Sequence, residues 1–154
     1  MIFVSALFRI IVGIVFGMIA AMALSPAAAA FNAGPDSNAP VIMLVAIALS
    51  AVLAFFAPTI RRAFGRGFLL AGVSFIALPI SMMLLSGRVA SDMVTAADAN
   101  SQGATAVGAG IAGIAMTGAA TFIGLIVGAI FIIIGLVLAL GGRREVIVVD
   151  RAAR

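Results

Sequence analysis

The sequence predicts an all-α integral membrane protein: a four-helix up-down bundle whose fourth helix is long and Gly-rich at its outer end. Three observations predict it. Hydrophobic residues make up 65% of the 154-residue chain and charged residues only 9%, where a water-soluble domain carries about 25% charged residues. The apolar residues gather into four runs separated by short polar breaks. The basic residues concentrate on alternate breaks. So few charges cannot cover a water-facing surface, and lipid is the solvent that tolerates the remainder.

A membrane-crossing helix needs roughly 20 apolar residues, because about 30 Å of hydrocarbon is crossed at about 1.5 Å per residue. The first span is placed at residues 10–30, the second at 40–60 and the third at 67–86. Pro40 follows Asn38, a position where a first-turn proline is tolerated. Pro79 lies inside the third span. It removes the N–H that the Phe75 carbonyl would accept and predicts a kink.

The fourth apolar run, Val107 to Leu140, holds 34 residues without a charge. At roughly 51 Å as a helix it is too long for one upright span and too short for a hairpin. The lipid-crossing part is placed at 119–140. Residues 103–118 are rich in glycine, a poor helix former, and either project outward or break near Gly113 to Gly118. The bundle therefore occupies residues 1–142 and a short basic tail residues 143–154.

The first run also resembles a secretory signal: Arg9, an apolar core from Ile10 to Leu24, then Ser-Pro-Ala-Ala-Ala-Ala. Continued through Ala30, it is a full-length span with Arg9 at the cytoplasmic edge. Both readings leave the orientation of the other spans unchanged.

Charge sets that orientation. Arg61, Arg62 and Arg66 fill the second break, and Arg143, Arg144, Arg151 and Arg154 the tail. The first break has only Asp36; the third sets Arg88 against Asp92 and Asp98. With both termini cytoplasmic, eight of the nine arginines lie inside, as the positive-inside rule requires. All-Arg basic usage beside abundant Ala and Gly suggests a GC-rich genome. The expected location is thus a bacterial cytoplasmic (inner) membrane, crossed several times.

Packing features outnumber chemical ones. Gly13, Gly17 and Ala21 recur at intervals of four, as do Ala120, Gly124 and Gly128. Such small residues share a helix face and let backbones approach closely in lipid. Arg61, Arg62, Arg66, Arg143 and Arg144 are expected to set topology and to meet lipid headgroups. Arg9 is expected to snorkel to the interface. Residues 88–98 suit a short amphipathic helix continuing the third span, with Arg88 and Asp92 four apart. Residues 146–149, Val-Ile-Val-Val between charges, read as a short strand.

The chain has no Cys, His, Trp, Tyr or Lys. Disulfides, thiolate and imidazole metal sites and the commonest general base are excluded. The glycine-rich stretch 108–129 resembles in texture the helices of rotary ATPase proteolipids, but ion transport there needs a carboxylate within a span. The acids here are Asp36, Asp92, Asp98, Glu145 and Asp150, all outside the spans. Phosphate loops, dinucleotide fingerprints and nucleic-acid motifs are absent. No catalytic, cofactor or metal site is expected, and no nucleic-acid partner. The expected function is that of a small non-enzymatic accessory, scaffold or assembly subunit. Its expected partners are membrane lipids and either further copies of itself or a larger membrane complex. The alternative is a small pore, holin-like protein or transporter lined by Ser50, Ser74, Ser81, Thr117 and Thr121.

Overall fold

The computed structural model describes residues 2–31 and 38–141, and they are helical almost throughout. Among the described residues five helices follow in order: α1 Ile2–Phe31, α2 Ala39–Phe55, α3 Ile60–Ile76, α4 Leu78–Ala96 and α5 Gln102–Leu140. Three rods are long and apolar enough to cross a membrane: Val4–Phe31, Ile60–Ala96 and Gln102–Leu140. α2 is apolar but shorter. Asp36, the tail with Arg143 and Arg144, and the expected strand at 146–149 lie outside the described residues.

The helix ends follow local chemistry rather than bilayer thickness, so they differ from the expected span limits. α1 begins at Ile2 and passes through Pro26. Pro26 cannot donate to the Met22 carbonyl, and the Ser25 hydroxyl donates to it instead at 2.8 Å. α2 ends at Phe55, short of residue 60, because Pro58 disfavours helical geometry in the residue before it. Thr59 then turns extended and caps α3, its hydroxyl accepting from the Arg62 N–H at 3.3 Å. α4 continues the third span out to Ala96.

α3 and α4 make one rod interrupted at Ala77, two residues before Pro79. The Ala77 N–H points to both the Val73 and Phe75 carbonyls, sharing one donor where Pro79 supplies none. α5 is a single helix of 39 residues. Of the two expected alternatives for 103–118, the break near Gly113 to Gly118 does not occur.

The contacts fix the order of the rods. Gly13 of α1 faces Ala51 and Ala54 of α2, and Gly17 faces Ile47, so these helices run antiparallel. Gly65 of α3 faces Ala139 of α5 and Gly72 faces Ile132, again antiparallel. Phe16 of α1 lies on Gly67 of α3, and Arg88 of α4 reaches Ala30 of α1, so α1 runs parallel to the α3–α4 rod. Among the described residues α5 touches only α3 and α4, meeting neither α1 nor α2. The rods stand in the row α2, α1, α3–α4, α5.

The interior is made mostly of small side chains, with Val12 and Phe16 buried among them. Ala20, Ala54, Ala57, Ala63, Ala71 and Ala120 are buried, and among the described residues no large side chain is fully buried. Large apolar groups point outward instead; Met22 is 74% and Ile114 76% exposed. In water that arrangement would forfeit the hydrophobic effect, whereas in lipid the outward groups lose nothing and close packing of small residues supplies the cohesion.

Candidate functional site: glycine contacts between rods and arginines at both edges

Two helices can approach this closely only where no Cβ intervenes. No described glycine has positive φ, so these glycines serve proximity rather than turning. A Cβ on Gly13 would lie 2.7 Å from the Ala51 Cα, and one on Gly17 2.9 Å from the Ile47 Cα. Ala21 is buried. The Ser50 hydroxyl donates to the Gly13 carbonyl at 2.8 Å. It ties α1 to α2 where apolar attraction between helices is weak.

The second ladder, Ala120, Gly124 and Gly128, is buried against the α3–α4 rod. A Cβ on Gly124 would lie 2.5 Å from the Phe75 carbonyl oxygen and 3.2 Å from Pro79 Cδ. The carbonyl that Pro79 deprives of its helical donor is thus the one that α5 approaches most closely.

Sequence reasoning missed three further glycines, Gly65, Gly72 and Gly135. Gly72 has no small residue four away, so a spacing of four does not single it out, yet a Cβ there would lie 2.7 Å from Ile132 Cγ1 and 2.9 Å from the Gly128 carbonyl oxygen. Gly65 faces Gly135, and Gly72 faces Gly128. Both pairs are separated by seven residues on each helix, two helical turns, so the signal was present at a spacing of seven rather than four.

Rings cross the row as well. Phe16 of α1 meets Phe68 of α3 edge-on at 4.7 Å, and Phe68 meets Phe131 of α5 at 5.4 Å. Phe131 also meets Phe75 at 5.6 Å. Edge-to-face pairs of this kind are each worth about 0.5–1.5 kcal/mol beyond area burial, and they link α1 to α5, which do not touch directly.

Arginines close both ends of α1. At one end Arg9 donates from Nη1 to the Ala57 carbonyl at 2.7 Å and from Nη2 to that of Pro58 at 3.1 Å. Its Nε is buried without a partner. Arg9 therefore does more than snorkel: it clamps the α2–α3 turn. At the other end Arg88 donates to the Ala30 carbonyl at 2.7 Å and makes no ion pair with Asp92. Arg9 and Ala30 are separated by roughly 32 Å of helix, close to the hydrocarbon thickness of about 30 Å.

Arg66 donates to the Leu53 carbonyl at 3.0 Å. A guanidinium nitrogen of Arg61 lies 2.7 Å from where a Gly141 Cβ would stand. It sits at the C-terminal, electronegative end of α5. Arg62 is exposed.

The five expected pore hydroxyls do not converge. Ser50 bonds to α1, while Ser74, Ser81 and Thr121 donate to Leu70, Ala77 and Thr117 in their own helices. Thr117 and Thr121 line a groove of about 510 Å³ between α4 and α5, with Ser86 and Gly113. Among the described residues no three metal-ligating side chains come together. Searches of known protein families, curated proteins and solved structures found no significant match to this chain.

Proposed function

We propose that this is a small non-enzymatic integral membrane protein acting as an accessory, scaffold or assembly subunit. It works through helix packing with itself or with a larger membrane complex. The rods cross a bacterial cytoplasmic membrane four times, up and down, with both termini in the cytoplasm. α2 completes the fourth crossing, its roughly 25 Å extended at one end by the turn that Arg9 clamps.

The observation that carries this reading is the position of α5. One stripe, Ala120, Gly124, Gly128 and Gly135, is buried against the α3–α4 rod. The flank bearing Phe122, Ile126, Ile133 and Val137 is exposed. A helix at the end of a row, covered along one stripe, suits lateral assembly. The buried hydroxyls bond to backbone, which leaves little polar surface for chemistry.

The second reading, a small pore or transporter, draws on the α4–α5 groove with its Thr117 and Thr121 hydroxyls. Purification in mild detergent, with mass determination of the intact particle and identification of its components, tests both. A stable oligomer or defined complex supports the accessory role. A lone monomer that conducts ions or solutes in liposomes replaces it with the pore.

A further inference from the structure

We propose that the end of the molecule formed by Arg61, Arg62, Arg66 and Arg9 is a binding site for the phosphate headgroup of an anionic phospholipid. The inference rests on the chain spanning a bilayer.

Four guanidinium groups from α1 and α3 gather around the α2–α3 turn. Arg9 and Arg66 are anchored on backbone carbonyls, which orients them without neutralising their charge. Arg61 and Arg62 are exposed, and their side chains donate no hydrogen bond to any described residue. The described carboxylates, Asp92 and Asp98, lie toward the far end of the α3–α4 rod. Arg62 and Asp92 are separated by about 45 Å of helix, several Debye lengths at physiological salt. The sequence after Gly141 sets four arginines against Glu145 and Asp150, so it adds positive charge overall.

A countercharge must therefore come from outside the described chain. The flanking groups say which kind. Phe55 and Phe56 at the end of α2, and Ile60 at the start of α3, are exposed beside the arginines. Guanidinium groups flanked by exposed apolar side chains fit an amphiphile, its phosphate on the arginines and its acyl chain along the apolar side chains. A freely soluble anion would leave those side chains unmatched. Arginine is suited to the role, since its planar fork binds phosphate in bidentate fashion.

Native mass spectrometry of the full chain in detergent, with phosphatidylglycerol and phosphatidylcholine in competition, tests the proposal. Retention of phosphatidylglycerol over phosphatidylcholine, falling as ionic strength rises, is the expected result. The double variant Arg61→Gln/Arg62→Gln should lower that preference by roughly thirtyfold (about 2 kcal/mol, at about 1 kcal/mol per arginine). Arg88→Gln, at the opposite edge, should leave it unchanged. Equal retention of both lipids overturns the proposal, as does a preference insensitive to salt or to the double variant. Displacement of phosphatidylglycerol by millimolar inorganic phosphate overturns it in favour of a soluble-anion site. Vesicle flotation separates this from failure of the membrane reading. A chain that floats with zwitterionic vesicles but lacks anionic preference sinks the lipid site alone; one that floats with no vesicle sinks the spanning arrangement.

Discussion

Gly72 and Gly128 each face the other's carbonyl: a Cβ on either would lie 2.9 Å from the opposing oxygen. The same reciprocity holds one step along, where the Gly65 and Gly135 positions each lie 3.0 Å from the other's oxygen. Two helices locked by mutual approach at both ends of a seven-residue interval cannot yield at one point without parting at the other. Cα–H groups directed at carbonyl oxygens add a small attraction to the packing. Gly72→Ala and Gly128→Ala are therefore expected to destabilise the protein by about 1–3 kcal/mol, the usual cost of overpacking. Gly110→Ala, where nothing lies within 4 Å of the added methyl, should be neutral or slightly stabilising through helix propensity. Unfolding in mixed micelles with rising denaturing detergent measures the difference. Equal effects at the three positions would show that the α3–α5 seam is not held by glycine.

The Phe75 carbonyl, which Pro79 leaves without its usual helical donor, is the one that Gly124 meets. Restoring the donor with Pro79→Ala gives the Phe75 carbonyl an ordinary helical partner and favours a straight α3–α4 helix. The contact with Gly124 then loosens. The expected outcome is a longer spin-label distance between Arg88 and Gly113 positions, read by pulsed electron resonance on paired cysteine variants. An unchanged distance would mean that packing on α1 and α5, not the proline, sets the interruption at Ala77.

Arg9 offers a separation of two roles that sequence alone confounds. Arg9→Lys keeps the charge that orients the first span but cannot bridge the Ala57 and Pro58 carbonyls with one rigid fork. The expected result is unchanged topology with stability lowered by about 1–2 kcal/mol. Hydrogen bonds to charged groups contribute about 1.5–3 kcal/mol, discounted here because Pro58 and part of the clamp face solvent. If Arg9→Lys is as stable as the wild type, the clamp contributes nothing beyond charge.

The rods were legible in the sequence because hydropathy over about 20 residues is a strong signal and charge-free runs are hard to misread. Their ends were less so. The second span was expected to pass through Pro58, yet the residue before a proline avoids helix, and α2 stops at Phe55. That cue was local and available. The seam between α3 and α5 was half legible: Gly124 and Gly128 stand four apart, but the facing pairs Gly72–Gly128 and Gly65–Gly135 are set seven apart on each helix. The Arg9 clamp and the Phe16–Phe68–Phe131 contacts join residues 48 or more positions apart, or on three different helices. No periodicity within one segment encodes such a meeting.

Orientation has its own test. Reporter fusions active on only one side of the membrane should place residues after Gly142 and the Arg61–Arg66 turn in the cytoplasm, and Asp92 outside. An external signal from the fusion after Gly142 would invert or break the four-crossing arrangement.

The unbroken α5 sharpens the expectation for its Gly-rich half. Arg61 lies beside Gly141, and the proposed orientation takes that residue as the inner edge of the hydrocarbon. About 30 Å of helix from there, roughly 20 residues, ends near Thr121. Ser86 packs beside Gly113, with its side chain 3.3 Å from the would-be Cβ, and stands two residues before Arg88, which meets the end of α1. Gly113 is roughly 42 Å along the helix from Gly141, more than the roughly 36 Å from the inner hydrocarbon edge to the outer limit of the headgroups. In the proposed arrangement, residues 102–112 of α5 and the last two turns of α4 are expected to project beyond the membrane as a helical hairpin. Val107 and Ile111 are exposed on it, at 64% and 65%. Single cysteines at 107–125, in a chain that has none of its own, should react with a membrane-impermeant thiol reagent at Val107 and Ile111. Reaction should cease by about Ala119. Renewed reaction confined to Thr117 and Thr121 would mark the α4–α5 groove as wet and favour the pore. Protection of the whole stretch from Val107 inward would move the membrane outward by about four turns and place the hairpin within lipid.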